Sequence, residues 1–271
     1  MAREDYQTAL PGERTNPAGK PVSNKLLLSV PDSEYHAIRP HLEFLNVPPR
    51  RSLYEPNAPQ EFVYFPNAGM VSLVVETEDG RTVEVGEVGK EGFAGIPASV
   101  GMKKSQVREI GQIGGNGFRM RAGALRSLLS STPQFQLMLT RYGVVQGLQV
   151  AQTAACNRLH NVEQRLARWL LITQDRVDSA KFAITQDFLA SMLGTDRPTV
   201  NLTAAILQKK QIIVHSRGVV QILSRAKLQS CACECYEAMQ LDRFGEGPLR
   251  QGKTFETQTT RIRRRMLPKS R

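Results

Sequence analysis

Apolar positions change their period along this chain. Before about residue 124 they come in short runs: Phe62-Val63-Tyr64-Phe65, Val71-Ser72-Leu73-Val74-Val75, Thr82-Val83-Glu84-Val85, then residues 106–113 and 118–121. Such β-rich runs, separated by turn residues, predict strands. Asp79-Gly80 marks a hairpin, and glycines at 86, 89, 92 and 95 punctuate the stretch beyond it. A small antiparallel barrel or roll accounts for this pattern, preceded by a short helix over residues 31–42. From Ala124 the spacing lengthens to threes and fours. Ser131 or Thr132 caps a long helix with Pro133 at its first position, running through Leu137, Met138, Tyr142, Val145, Leu148, Gln152, Ala155 and Leu159. Its mixed stripe suits a seam against a second copy of the chain. An ordinary core helix fits the same spacing. Asn161-Val162-Glu163-Gln164 then reads as a capping-box variant opening a further helix with Leu166, Trp169, Leu170 and Ile172.

The segment from Ile184 to Val200 says most. Phe188, Leu189, Met192 and Leu193 share one helical face, and Gly194 supplies the freedom a tight turn needs. Thr195 or Asp196 caps a second helix, Pro198 sits in its first turn, and Val200, Ala204 and Leu207 continue an inward face. Two β-rich runs follow, Ile212-Ile213-Val214 and residues 219–223, with His215-Ser216-Arg217-Gly218 as the hairpin between them. This is the layout of a winged helix-turn-helix, whose second helix enters the major groove of DNA. The plain alternative is an ordinary helix pair followed by a hairpin.

Composition supports a polyanionic partner: 36 Lys and Arg against 25 Asp and Glu leave a formal charge of +11. No apolar run approaches the roughly 18–20 residues of a membrane helix, and none stands behind Arg3, Glu4 and Asp5, so neither membrane insertion nor a signal peptide is expected. Four cysteines make no disulfide scaffold, and the natural compartment is a reducing cytoplasm. The fold class is α+β. Residues 1–24 read as a flexible arm, 25–130 as an antiparallel β-roll, 131–160 as a long dimerisation helix, 161–244 as the winged helix-turn-helix, and 245–271 as a basic disordered tail ending in Arg261-Ile262-Arg263-Arg264-Arg265.

A roll, a long helix, a hinge near residues 159–161 and a winged helix-turn-helix, in that order, resemble the CRP/FNR family of bacterial transcription regulators from about Leu26 to Leu228. Thr185-Gln186 through Gly194-Thr195-Asp196-Arg197-Pro198-Thr199-Val200 tracks the family's helix-turn-helix without a gap. Phe65-Pro66-Asn67-Ala68-Gly69-Met70-Val71 and Gly89-Lys90-Glu91-Gly92-Phe93-Ala94-Gly95 are similar to segments of its roll. The resemblance implies a homodimer on double-stranded DNA, a near-palindromic operator, RNA polymerase as a further partner, and an effector in the roll that moves the DNA-binding domains. Candidate effector contacts are Gly92, Phe93, Gly95, Ile96 and Arg108. Cyclic-AMP-binding members carry a Glu just after the glycine matching Gly95. Ile96-Pro97 stand here instead, Arg108 aligns with their phosphate-binding Arg only through an insertion, and Glu109 beside it would repel a phosphate. Conventional cyclic AMP or cyclic GMP binding is therefore not expected, and the effector is unidentified. With no Cys before Cys156, the N-terminal iron–sulfur cluster of the oxygen-sensing branch is not expected either. His36, His41 and His160 show no spacing that marks a haem ligand.

Family members read bases with an Arg, a Glu and a second Arg. Arg197 matches the first, while Pro198 and Leu202 occupy the other two places, so an altered operator is implied. Arg197 suits a guanine, with Asn201 and Thr203 adding contacts. Thr185, Gln186, Thr195, Thr199, His215, Ser216 and Arg217 suit phosphates. Other chemistries fit less well. A cupin-type metal enzyme needs clustered His, but residues 51–121 contain none, and no nucleophile–base pair is visible, so no enzyme is expected. A binding protein that kept the fold and lost DNA recognition is a further alternative. Cys231, Cys233 and Cys235 are candidate metal or redox ligands. On a helix, however, alternate residues point about 200° apart, and no fourth ligand stands at a usual spacing, so idle thiols and no metal are expected.

Overall fold

Several of the short apolar runs join into longer strands than their spacing predicts. In the computed structural model, which describes residues 8–240, the chain runs through helices α1 (Lys25–Ser29) and α2 (Asp32–Ile38), a 3-10 turn (Arg39–His41), and strands β1 (Glu43–Val47), β2 (Ser52–Tyr54), β3 (Phe62–Glu76) and β4 (Thr82–Val88). Short helix α3 (Ile96–Ser99), strand β5 (Arg108–Arg121) and helices α4 (Ala122–Leu129), α5 (Pro133–Leu159) and α6 (Val162–Val177) follow. The C-terminal third holds β6 (Lys181–Ala183), α7 (Gln186–Leu193), α8 (Arg197–Lys209), β7 (Ile213–Ser216), β8 (Val219–Ile222), α9 (Arg225–Cys231) and α10 (Cys235–Ala238).

The roll is antiparallel in the order β1-β5-β3-β4, with β2 also beside β5. β3 absorbs Pro66 and Gly69 through register shifts between Pro66 and Val71, so two expected strands become one bent strand. Gly69 takes φ +82°, and β5 passes so close that a Cβ on Gly115 would overlap the Ala68 carbonyl. Only glycine permits that approach. Phe65, Phe93, Phe118, Phe135 and Tyr142 are fully buried and mate the roll with the first half of α5.

Thr132 precedes α5 but does not cap it: its hydroxyl donates to the Leu128 carbonyl at 2.9 Å. The cap comes from α2, where the Glu34 carboxylate accepts the Gln134 and Phe135 N–H groups at 3.0 and 2.8 Å. The expected single stripe of α5 is two faces. Phe135, Leu139, Tyr142, Val145, Gln146, Gln149, Thr153 and Cys156 turn inward. Leu137, Val144, Leu148 and Leu159 point outward and stay exposed.

The N-terminal arm needs correcting over its described part. Asn24 is fully buried, and its amide donates to the Pro66 and Gly92 carbonyls at 2.9 and 2.8 Å. Arg14 holds the Leu27 carbonyl at 2.6 Å and the Asp32 carboxylate at 2.5 Å. Those bonds, with Val22 wholly buried, pin residues 8–24 to the roll. Residues 1–7 and the basic tail of 245–271 lie outside the described residues.

α5 stops at His160, whose backbone is extended, and the capping box of Asn161 and Gln164 starts α6. Trp169, Leu170, Phe182, Leu189, Val200, Leu207 and Val220 then form a second core. A buried polar junction ties α6 to the roll. The Trp169 indole N–H donates to Glu84 at 2.6 Å, Ser72 donates to the same carboxyl, and Arg176 meets Glu87 at 3.2 Å and also Glu91. Burial, with the neighbouring Glu87 charge, pushes the Glu84 carboxyl well above the usual range. No helix among the described residues is long and apolar enough to cross a membrane.

Candidate nucleic-acid interface

Thr185 opens α7, its hydroxyl accepting the Phe188 N–H at 3.3 Å. Leu189, Ala190, Met192 and Leu193 face inward. The helix ends on Gly194 at φ +57°, and the Thr195 N–H reaches back to the Ala190 carbonyl at 3.0 Å. A side chain at this left-handed position would be strained. Asp196, not Thr195, caps α8 by accepting the Thr199 N–H at 2.8 Å, and that hydrogen bond holds its carboxyl below the usual range. Pro198 lies in the first turn, where no backbone N–H is needed.

The readable face of α8 differs from the expected one at one position. Thr203 is only 6% exposed, and its hydroxyl donates to the Thr199 carbonyl at 2.8 Å, so it faces the core. Arg197, Pro198, Asn201, Leu202 and Ala205 form the open face. Arg197 stands 3.2 Å from the Asp187 carboxylate with both side chains mostly exposed. Such a surface pair is weak and exchanges readily for another anion.

The wing is a three-stranded sheet in the order β6-β8-β7. β6 adds a strand that the sequence pattern did not mark. Arg217 and Gly218 make the turn, both at positive φ (+50° and +73°), as a two-residue hairpin with matching twist requires. His215 and Ser216 lie in β7 rather than in the turn. The His215 N–H donates to Gln208 at 2.8 Å, fastening the wing to α8, and burial lowers the ring's pKa. A neutral, half-buried ring makes a poor phosphate clamp. The turn reaches the start of α7: Ile184 N–H meets the Gly218 carbonyl at 2.8 Å. Thr185, Gln186, Thr195 and Thr199 are half-buried, while Ser216 and Arg217 are exposed.

Residues 164–231 match the model of the Crp-like helix-turn-helix domain. Among solved structures, the c-di-GMP-responsive global regulator CLP of Xanthomonas campestris superposes with a TM-score of 0.59 at 16% identity, over 71% of this chain and 99% of that one. FixK2 of Bradyrhizobium japonicum gives 0.58 at 15%, over 71% and 98%. A CRP-family transcriptional regulator of Thermus thermophilus gives 0.59 at 19%, over 69% and 96%. The chain is a CRP/FNR-fold protein with a Crp-like helix-turn-helix domain. No curated protein matches it by sequence.

In the CRP/FNR roll, the five candidate effector residues do not gather around one cleft. Phe93 is fully buried, its ring 5.9 Å from Phe65 and 5.6 Å from Tyr142. Gly92 lies against Tyr142 with no room for a side chain. Ile96 begins α3, and Arg108 pairs outward with Glu55 at 3.0 Å. The Gly95 N–H donates to Glu109 at 3.2 Å, and burial pushes that carboxyl up to about 8. A separate apolar cleft opens between β1, β2, β3 and β5, lined by Leu45, Val47, Leu53, Met70, Ile113 and Phe118.

The cysteines depart most from expectation. α9 ends at Cys231 and Ala232 is extended, so Cys233 and Cys235 leave the helix. Both turn inward to meet Cys156 and His160 from the end of α5, and the four ligand atoms lie within 4.8 Å of one another. Cys231 stands apart. The missing fourth ligand was 75 residues away in sequence, and its only local signal was the four-residue spacing of Cys156 and His160. Burial pushes the Cys156 thiol up to about 12 and raises Cys235 as well.

Proposed function

We propose that this protein is a sequence-specific, DNA-binding transcription regulator that acts in the cytoplasm as a homodimer and contacts RNA polymerase at its promoters. The observation that carries this reading is the capped α7–Gly194–α8 unit, with Arg197 exposed at the start of α8 and Arg217 exposed in the turn of the wing. Arg197 reads a base, Asn201 adds a contact, and Thr185, Gln186, Thr195, Thr199, Ser216 and Arg217 hold phosphates. The outward apolar line of Leu137, Val144, Leu148 and Leu159 on α5 supports a two-fold seam. Such a dimer sets its two recognition helices about 34 Å apart, on a near-palindromic operator. Control passes through the roll. β4 holds the helix-turn-helix by the Thr82–Ser191 hydroxyl contact and by Val83 under Gly194, so a signal that moves β4 moves α7. No catalytic role is assigned: the group of side chains close enough to share a metal lies outside the roll, away from where a cupin would hold its ion.

Selection of bound duplexes from a random pool, with and without cell extract, tests the reading. The Arg197→Ala variant then loses affinity for the selected duplex by roughly 1–3 kcal/mol and keeps its weak binding to scrambled DNA. Equal losses on both duplexes would remove Arg197 from base reading. No enrichment under any condition would remove DNA as the partner.

A further inference from the structure

We propose that Cys156, His160, Cys233 and Cys235 form a structural zinc site that clamps the two ends of the helix-turn-helix domain to the long helix. Cys156 and His160 are one turn apart at the end of α5, Cys233 lies between α9 and α10, and Cys235 opens α10. Cys156 Sγ stands 3.5 Å from Cys233 Sγ, and Cys235 Sγ stands 3.6 Å from His160 Nδ1. Tetrahedral zinc with its ordinary bond lengths needs sulfur–sulfur edges of about 3.8 Å and sulfur–nitrogen edges of about 3.6 Å. These two pairs stand close to those edges and the remaining pairs lie within 4.8 Å, whereas a disulfide would need its sulfurs at about 2 Å. Three soft thiolates and one imidazole, largely enclosed by protein, suit a closed structural zinc better than an open catalytic ion or a hard cation.

The surroundings fit the same ion. His160 Nε2 lies 3.3 Å from the Glu234 carboxylate, the kind of outer partner a metal-bound imidazole has, while Nδ1 is the ring nitrogen that faces Cys235 Sγ at 3.6 Å. The Gln152 amide donates to Cys235 Sγ at 3.0 Å. Zinc with three thiolates and a neutral imidazole carries one net negative charge. Arg165 and Arg168 are buried nearby, and both interact electrostatically with Cys156. Among the described residues neither guanidinium meets a carboxylate; they reach only the Leu193 carbonyl and the Met239 sulfur. Buried cations of this kind call for an anion, and the thiolate-rich centre supplies it. The loop that the ion closes, residues 156–235, contains the whole Crp-like domain at 164–231.

The full chain, purified under reducing conditions, tests this without reference to DNA. Elemental analysis should find about one zinc per chain. Replacement by cobalt should give the intense visible bands of a tetrahedral ion and a thiolate charge-transfer band. Cys233→Ser and Cys235→Ser should abolish both, while Cys231→Ser keeps them. A chelator should lower the melting temperature of the wild type and leave that of Cys235→Ser unchanged. The wild-type cobalt spectrum decides the matter even if the serine variants do not fold. The proposal is overturned by a chain that takes up no zinc or cobalt, by a weak octahedral cobalt spectrum, by loss of metal in Cys231→Ser equal to that in Cys233→Ser, or by recovery of Cys156 and Cys233 as a metal-free disulfide.

Discussion

Leu148→Glu probes the outward face of α5. In a single chain Leu148 keeps 49% of its surface exposed, Val144 61%, Leu137 42% and Leu159 74%. Full burial of such a side chain is worth about 1.5–3 kcal/mol, so covering the remaining half contributes about 1 kcal/mol. Two-fold symmetry doubles this, to about 2 kcal/mol for each position and about 8 kcal/mol gross for the four. Association costs about 4–15 kcal/mol in lost freedom, so the seam has little to spare. Losing one position weakens the dimer roughly 30-fold. Two carboxylates facing each other across the axis raise that by a further factor of ten or more, since each is both desolvated and repelled. The folding of one chain should change little, because Leu148 belongs to none of its buried hydrophobic clusters. Sedimentation equilibrium over a range of concentrations measures the shift, and the thermal melt in far-ultraviolet circular dichroism checks the fold. A Leu148→Glu protein that self-associates as tightly as the wild type would refute a seam on this face.

Glu109 gives stability a pH dependence of unusual sign. Its folded pKa of about 8 lies above the ordinary 4.5, so the folded state binds the proton more tightly, and stability is fullest below about 4.5 and falls as pH rises toward 8. Urea unfolding at pH 5 and pH 8 should show Glu109→Gln gaining about 3 kcal/mol on the wild type between the two, and identical pH slopes would contradict this. Glu34→Ala removes the acceptor of two N–H groups at the start of α5 and should cost about 1–2 kcal/mol, with Glu34→Gln in between. An unchanged urea midpoint in Glu34→Ala would show that another group caps the helix.

Local chemistry was legible where it closes within a few residues. Gly194, Pro198, the Asn161–Gln164 box and the Asp79-Gly80 hairpin all fall where their side chains and turn preferences put them. The wing followed because β-rich runs bracket a turn that tolerates positive φ. Features that depend on contacts far along the chain were not legible. Nothing near Pro133 announces that Glu34 is its cap, and nothing in Pro- and Gly-rich residues 8–24 announces Asn24 bridging two carbonyls of the roll. Thr203 falls on the same buried face as Val200, Ala204 and Leu207, and the Thr199 carbonyl satisfies its hydroxyl there. The two faces of α5 overlap in sequence, since inward glutamines and outward leucines invert the usual rule. The geometry of Cys231, Cys233 and Cys235 was legible only on the condition of one continuous helix, and the chain instead breaks at Ala232 between α9 and α10.

The chain contains one tryptophan, and its indole N–H is bonded across the seam between the roll and α6. Any signal that separates β4 from α6 must break that bond and wet the ring. The protein thus carries its own optical gauge of the contact between its roll and its helix-turn-helix domain, with no label to attach and no second emitter of the same kind in the chain to subtract.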